Sequence, residues 1–245
     1  DNVAWLSEEP AFTFLQHDVT EPLDVDGPVD WVYDLACPAS PVDFDPLSLE
    51  ILRVCGEGVR NLLSLADRKG AGFLHTSTSE VYGDPEVHPQ GEDYWGHVNP
   101  IGPRSVYDEG KRYAEALITA WHRRYGTPVR ISRIFNTYGP RMRLDDGRVV
   151  TNFICQALAG EPLTVYGDSS QTRSFCYVDD QVAGQLLLAR SDYTGPVNLG
   201  NPDEIPVRQL AEEIIELTGS SSRIIQRPMP PDDPKVRRPD ITLAG

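Results

Sequence analysis

Lysine is rare in this chain: Lys69, Lys111 and Lys235 are the only three in 245 residues. With arginine included, 22 basic residues face 37 acidic ones, a formal net charge of −15. Nucleic acids and anionic membranes usually require a basic face, so neither is an expected partner. An anionic ligand must instead be met by a local arginine cluster. Cysteine is scarce as well. Cys37, Cys55, Cys155 and Cys176 form no C-x-x-C pair, and no His/Cys group has zinc-finger spacing. No metal is expected, and four scattered cysteines read as buried free thiols in a reducing, cytoplasmic setting. No apolar run approaches the ~20 residues of a transmembrane helix, and no signal peptide opens the chain. The dinucleotide fingerprint G-x-G-x-x-G is also missing. "CGEGVRN" (55–61) offers G-x-G, but Asn61 replaces the third glycine and the stretch lies inside a helical pattern, so Gly56 and Gly58 read as helix-packing glycines.

What is present alternates between short strand-like runs and longer helical ones. "FTFLQ" (12–16), "DWVYDLA" (30–36), "AGFLHTST" (71–78) and "PVRISRIF" (128–135) read as strands. Between them, 49–70 and 107–126 carry apolar residues at helical spacing and stop at Gly70 and Gly126, as C-caps do. The β-α-β-α-β series predicts an α/β fold with a doubly wound, parallel, Rossmann-type sheet. From about residue 140 the texture changes to a turn-rich basic stretch, a helix at "VVTNFICQALAG", and short strands near "LTVYG" and "RSFCYV". Helices follow near 179–190 and 206–218, then a strand at "SRIIQR". The expected division is a dinucleotide-binding domain over 1–140, with segments near 179–200 returning to it. A smaller C-terminal substrate-binding lobe would comprise 141–178 and 201–245.

The chemistry concentrates in "GPRSVYDEGKR" (102–112). Tyr107 and Lys111 stand at i and i+4 and share a helix face. A phenol with an ordinary pKa near 10 is a poor base at pH 7. An adjacent ammonium stabilises the phenolate, and a cationic nicotinamide would add to that, giving a general acid/base for a sugar or alcohol hydroxyl. Gly110 between them suggests close approach of a ligand or another backbone. Upstream, "STSEVYG" (77–83) presents Thr78, Ser79 and Glu80 at a strand end, where α/β active sites form.

Taken in order, "HDVTEP" (17–22), "DLACPASPV" (34–42), "STSEVYGDP" (77–85), "NPIGPRSVYDEGKR" (99–112), "RIFNTYGPRMR" (133–143), "PLTVYGDSSQTRSFCYVDD" (162–180), "NLGNP" (198–202) and "RRPDI" (237–241) resemble the extended short-chain dehydrogenase/reductase family. Within it, the chain is most similar to the UDP-glucuronate-decarboxylating branch. The resemblance implies NAD as cofactor, a UDP-sugar substrate, and conversion of UDP-glucuronate to UDP-xylose through a 4-keto intermediate. It also implies a homodimer formed through the helices near 49–68 and 107–125. Thr78, Tyr107 and Lys111 would be catalytic, Ser79 and Glu80 would position the substrate or assist protonation, and Arg237 would sit near the carboxylate or the proton donor. Asp18 and Val19 would flank the adenine, and Leu35, Ala36 and Pro38 would line the cofactor channel. Asn136 would hold the sugar diphosphate, Arg173 would pair with its phosphates, and Tyr166 would lie near the uridine. Dehydratases of this family carry Thr-Asp-Glu where this chain has Thr-Ser-Glu, and epimerases commonly carry a small residue in place of Glu80. A 4,6-dehydratase, a 4-epimerase and a non-catalytic sugar-nucleotide binder are the alternatives. Two departures stand out. Cys55 occupies a position where relatives commonly have Asn. The family's glycine-rich loop has no counterpart between Asp1 and Gly245, so a preceding β-α unit is expected, and this stretch alone would bind NAD poorly.

Overall fold

A computed structural model describes residues 3–168, 170–230 and 232–245. Strand β1 (Trp31–Asp34) leads into a helical arm made of α1 (Ser48–Arg53), a π-helical turn (Val54–Gly58) and α2 (Val59–Lys69). Gly70, in the left-handed region at φ 65°, closes the arm and turns the chain into β2 (Gly72–Thr78). Then come α3 (Ser105–Tyr125), capped by Gly126 at φ 77°, and β3 (Val129–Ile134). A short β4 (Thr137–Tyr138) precedes α4 (Val149–Ala159), β5 (Leu163–Tyr166), β6 (Thr172–Ser174) and β7 (Cys176–Tyr177). The chain ends with α5 (Val178–Arg190), β8 (Pro196–Leu199), β9 (Glu204–Pro206), α6 (Val207–Thr218), β10 (Ile224–Arg227) and β11 (Val236–Arg237).

The main sheet runs β1-β2-β3-β8, all parallel. Side chains alternate across it, so Val129 and Ile131 face α2 and α3 in the principal core with Leu63, Phe73 and Ile118. Ser132 pairs with Val197 and Ile134 with Leu199, so both β8 residues point to the opposite face, where Leu188 of α5 covers them. Helices therefore lie on both faces. The later segments build a smaller lobe in which α4 and α6 close over β5 through Phe153, Leu163, Val165 and Ile214. There, β10 pairs with β5, and β11-β6-β9 form a separate small sheet.

Residues 12–16, expected to be a strand, form none: residues 13–18 are exposed and no described strand lies beside them. A strand exists through its ladder partner, and apolar alternation alone does not supply one. The glycines of "CGEG" lie in the π-turn, as their helical context predicted. Val19 packs over Gly58, where an added Cβ would meet Val19 Cγ2 at 3.1 Å. Among the described residues, no helix is long and apolar enough to cross a membrane, and no cluster of three or more His, Cys, Asp or Glu could hold a metal.

Candidate active site

The parallel strands deliver their C-terminal ends to one edge, where open α/β sheets bind ligands. At that edge β2 ends in Thr78, whose hydroxyl accepts from Glu80 N at 3.2 Å and so caps the short 3-10 turn Ser79–Tyr82. Gly83 follows at φ 64°, with no room for a side chain, since an added Cβ would lie 1.9 Å from His97 O. Thr78, Ser79 and Glu80 are thus fixed by a cap on one side and an obligatory glycine on the other.

Helix α3 brings Tyr107 and Lys111 against this turn. Lys111, 3% exposed, donates from Nζ to Thr76 O at 2.7 Å. Its nitrogen lies 5.9 Å from the Tyr107 ring centroid. Tyr107 is buried and stacks on Phe44 with ring centroids 5.0 Å apart. The tuning differs from the sequence expectation. Burial is the largest influence and pushes the phenol up to about 12, while Lys111 and a hydrogen bond from Thr78 pull it down without prevailing. Desolvation works against both charged forms, so Lys111 alone does not make the phenolate. The close neighbour of Gly110 is a side chain: an added Cβ would meet Cys55 Sγ at 3.1 Å.

The arginine cluster demanded by an acidic protein lies beside Glu80. Strands β6 and β11 pair Arg173 with Arg237. Arg237, 1% exposed, donates to Ser79 Oγ at 2.8 Å, Glu80 Oε1 at 3.0 Å and Gly83 O at 2.8 Å. Arg104 binds the other Glu80 oxygen at 2.8 Å. Burial raises the Glu80 carboxyl, but the two guanidiniums outweigh it and hold the group below its usual range. Arg173 is engaged with Asp233 at 3.2 Å and with the carbonyls of Thr172, Pro234 and Lys235.

A cavity of about 520 Å³ adjoins this cluster, lined among others by Asp84, Asn99, Arg104, Asp108, Gln171 and Asp233. Asp108, absent from the sequence-derived site, is 5% exposed, and its Oδ1 has no hydrogen-bond partner. Burial, then repulsion from Glu80, pushes its carboxyl up to about 8. Its place between Tyr107 and Lys111 in the motif was a signal; its burial was not visible. Also found only in the fold is the buried pair His75 Nδ1 to Asp34 Oδ2, 2.7 Å, beneath Lys111. Asn136 is half-buried, and its Nδ2 lacks a partner, as a donor reserved for a ligand would. Tyr166 ends β5 at 43% exposure, next to Gly167 of the cavity wall but not in the lining.

On the cofactor side, Leu35 is exposed, and Ala36 and Pro38 are half-buried, in the loop leaving β1. Asp18 is exposed, its Oδ1 accepting from Thr20 N and Oγ1, both at 2.9 Å, and Asn61 holds Val19 O at 3.1 Å. An ammonium has three donors, and Thr76 O takes one from Lys111. A buried cation with donors to spare, next to a phenol and an open loop, fits a ligand bearing hydroxyl acceptors and a flat ring.

The pattern of the NAD dependent epimerase/dehydratase family matches residues 3–200. The chain belongs to this family. Family members with decarboxylase names are more similar in sequence than those solved as epimerases. UDP-glucuronic acid decarboxylase 5 of Arabidopsis thaliana is 54% identical over 244 residues, covering 100% of this chain and 71% of that protein. UDP-glucuronic acid decarboxylase 1 of Danio rerio is 54% identical over 240 residues, 98% of this chain and 57% of that protein. Among solved structures, a UDP-glucuronic acid 4-epimerase mutant from Bacillus cereus, in complex with UDP-4-deoxy-4-fluoro-glucuronic acid and NAD, superposes with a TM-score of 0.83 at 27% identity, covering 99% of this chain and 77% of that one.

Proposed function

We propose that this chain carries the catalytic centre of an NAD-dependent UDP-glucuronate decarboxylase, a carboxy-lyase that produces UDP-xylose. The observation that carries the reading is 54% identity to decarboxylases along the whole chain. It is supported by the assembly of Thr78, Tyr107 and Lys111 in one buried group beside the Ser79–Glu80–Arg237 cluster.

Asp18, Val19, Leu35, Ala36, Pro38 and Lys111 would hold NAD, which would supply a positive charge near the phenol, accept the C4 hydride and return it to C4 once CO₂ has left, so that the product is UDP-xylose. Tyr107 takes the proton of the sugar 4-hydroxyl, and Thr78 hydrogen-bonds the same oxygen. Oxidation at C4 makes the substrate a β-keto acid, whose carboxyl carbon leaves as CO₂ while the bonding electrons pass into the ketone. That step needs no strong base, which suits a hydroxyl at Ser79. Ser79 is held by Arg237, so the pair is suited to meet the substrate carboxylate and then deliver a proton to C5. Glu80 fixes both arginines and does not act as an acid, because they keep it ionised. Asn136, Arg173 and Tyr166 would bind the nucleoside diphosphate, Arg173 after exchanging Asp233 for phosphate.

A second copy of the chain would pack on the arm of α1 and α2 and on α3. Leu49, Leu52 and Tyr113 are exposed there around a groove that also includes Gly56 and Arg60, and covering them as a four-helix interface explains the apolar choice.

The test is an NMR time course of the protein with UDP-glucuronate and NAD⁺. A pentose nucleotide appearing with loss of C6 as CO₂ is expected. A C4-epimerised hexuronate with C6 retained would sink the reading in favour of an epimerase.

A further inference from the structure

Cys37 and Cys55 are 18 residues apart in sequence, yet their sulfurs lie 3.7 Å from each other. Cys37 is in the loop between Ala36 and Pro38, half-buried. Cys55 is in the π-turn, 1% exposed, and packs with Phe44, Ile51 and Tyr107. Gly110 accommodates it: any Cβ there would crowd Cys55 Sγ. Among the described residues all four cysteines are free thiols, and only these two touch. Cys155 and Cys176 hydrogen-bond to carbonyl oxygens, Leu144 O and Tyr177 O, elsewhere in the fold. The contact joins the cofactor-side loop to the helical arm one residue from Lys111.

We propose that Cys37 and Cys55 form a peroxide-sensitive thiol pair that closes reversibly into a disulfide and shuts down the centre around Tyr107 and Lys111. Cys37 is the attacking thiol, because it is the more accessible. Its contact with Cys55, opposed in part by burial, together with the Lys111 charge, favours its thiolate. That same contact is the largest influence on Cys55 and, with burial, disfavours its ionisation, so Cys55 keeps its proton until it resolves. The Cys37 thiolate displaces one oxygen of the peroxide and becomes a sulfenic acid, releasing water. Cys55 sulfur then displaces the hydroxyl from Cys37 as a second water. Two electrons leave the sulfurs and reduce the O–O bond, and the thiol protons end in water. A disulfide holds its sulfurs at about 2.05 Å, so closure draws the 36–38 loop and the π-turn together. It shifts the residue packed on Gly110 and removes the thiolate charge facing Lys111. A small displacement of a catalytic group costs up to about 10²-fold in rate.

The experiment treats the reduced protein with stoichiometric hydrogen peroxide, blocks remaining thiols, and maps peptides by mass spectrometry. Turnover of UDP-glucuronate is followed in parallel. The expected result is a Cys37–Cys55 cross-linked peptide with Cys155 and Cys176 still alkylated. Activity should fall about tenfold and recover on adding dithiothreitol. Cys55→Ser, scored against its own reduced form, should give a Cys37 sulfenic acid without the cross-link. Four persisting thiols, oxidation of Cys37 without the cross-link in the wild type, or a cross-link that leaves turnover unchanged would each overturn the proposal. The activity arm rests on the decarboxylase reading. The peptide map does not, so failure of that reading is distinguishable from failure of the thiol pair.

Discussion

Tyr107 sits in a protein interior that raises its pKa to about 12, so at neutral pH it holds its proton until a cation other than Lys111 joins the site. Tyr107→Phe should therefore lower kcat by about 10²–10⁴-fold, the usual worth of a positioned acid/base, while UDP binding measured by calorimetry stays within about twofold. Asp108 is similarly buried and, like Tyr107, becomes an anion when it loses its proton. Its carboxyl, ordinarily near 3.8, is raised to about 8 by burial and by Glu80, with Arg104 and Arg237 pulling back and Glu109 adding repulsion. A raised folded-state pKa gives stability that is complete below pH 3.8 and is lost as pH climbs through about 8. Asp108→Asn should flatten the decline of Tm between pH 5 and 8, read by calorimetry in matched buffers. Glu80 works in the opposite direction: its lowered pKa contributes stability above the ordinary carboxylate range that disappears on acidification. The Tyr-Lys spacing and the Thr-Ser-Glu run were legible in the sequence because helix and strand geometry convert spacing into position. The net direction of the Tyr107 shift was not, because it depends on how much water the folded chain excludes.

The turn after β2 is the element that converts strand geometry into a site. Thr78 caps it, Ser79 and Glu80 occupy its first turn, and Gly83 ends it against the 97–98 backbone. Gly83→Ala combines a left-handed φ with backbone overlap, so it should destabilise the fold by about 2–4 kcal/mol, seen as a lower urea midpoint. It should also weaken binding of UDP-sugar, since Arg237 Nη2 is anchored on Gly83 O. At the same scale, sequence periodicity identified the helical arm but could not show the π-turn inside it. An i→i+5 turn has nearly the same apolar spacing over so short a span; in the fold its glycines Gly56 and Gly58 lie against Tyr113 and Val19.

For the molecule as a whole, the acidic excess and the local arginines divide the work. A net charge of −15 repels anions at a distance, and the group of buried Arg237 and half-buried Arg104 and Arg173 meets them at close range, where solvent screens less. Self-association has a clear physical handle in the exposed Leu49, Leu52 and Tyr113. Leu49→Asp should convert the proposed homodimer to monomer in analytical ultracentrifugation while leaving the circular dichroism spectrum unchanged. A wild-type protein that sediments as a monomer at micromolar concentration would end the dimer proposal.

Local rules sufficed for the parallel β-α series, its glycine caps at Gly70 and Gly126, and the Tyr107/Lys111 face, because each follows from backbone geometry a few residues long. Tertiary structure alone decided what long-range contacts control. These are the pairing of Arg173 with Arg237 across β6 and β11, the upward shift of the Asp108 carboxyl, the failure of 12–16 to become a strand, and the meeting of Cys37 with Cys55. Each depends on a neighbour distant in sequence or on exclusion of water, and neither quantity is carried by the spacing of residues along the chain.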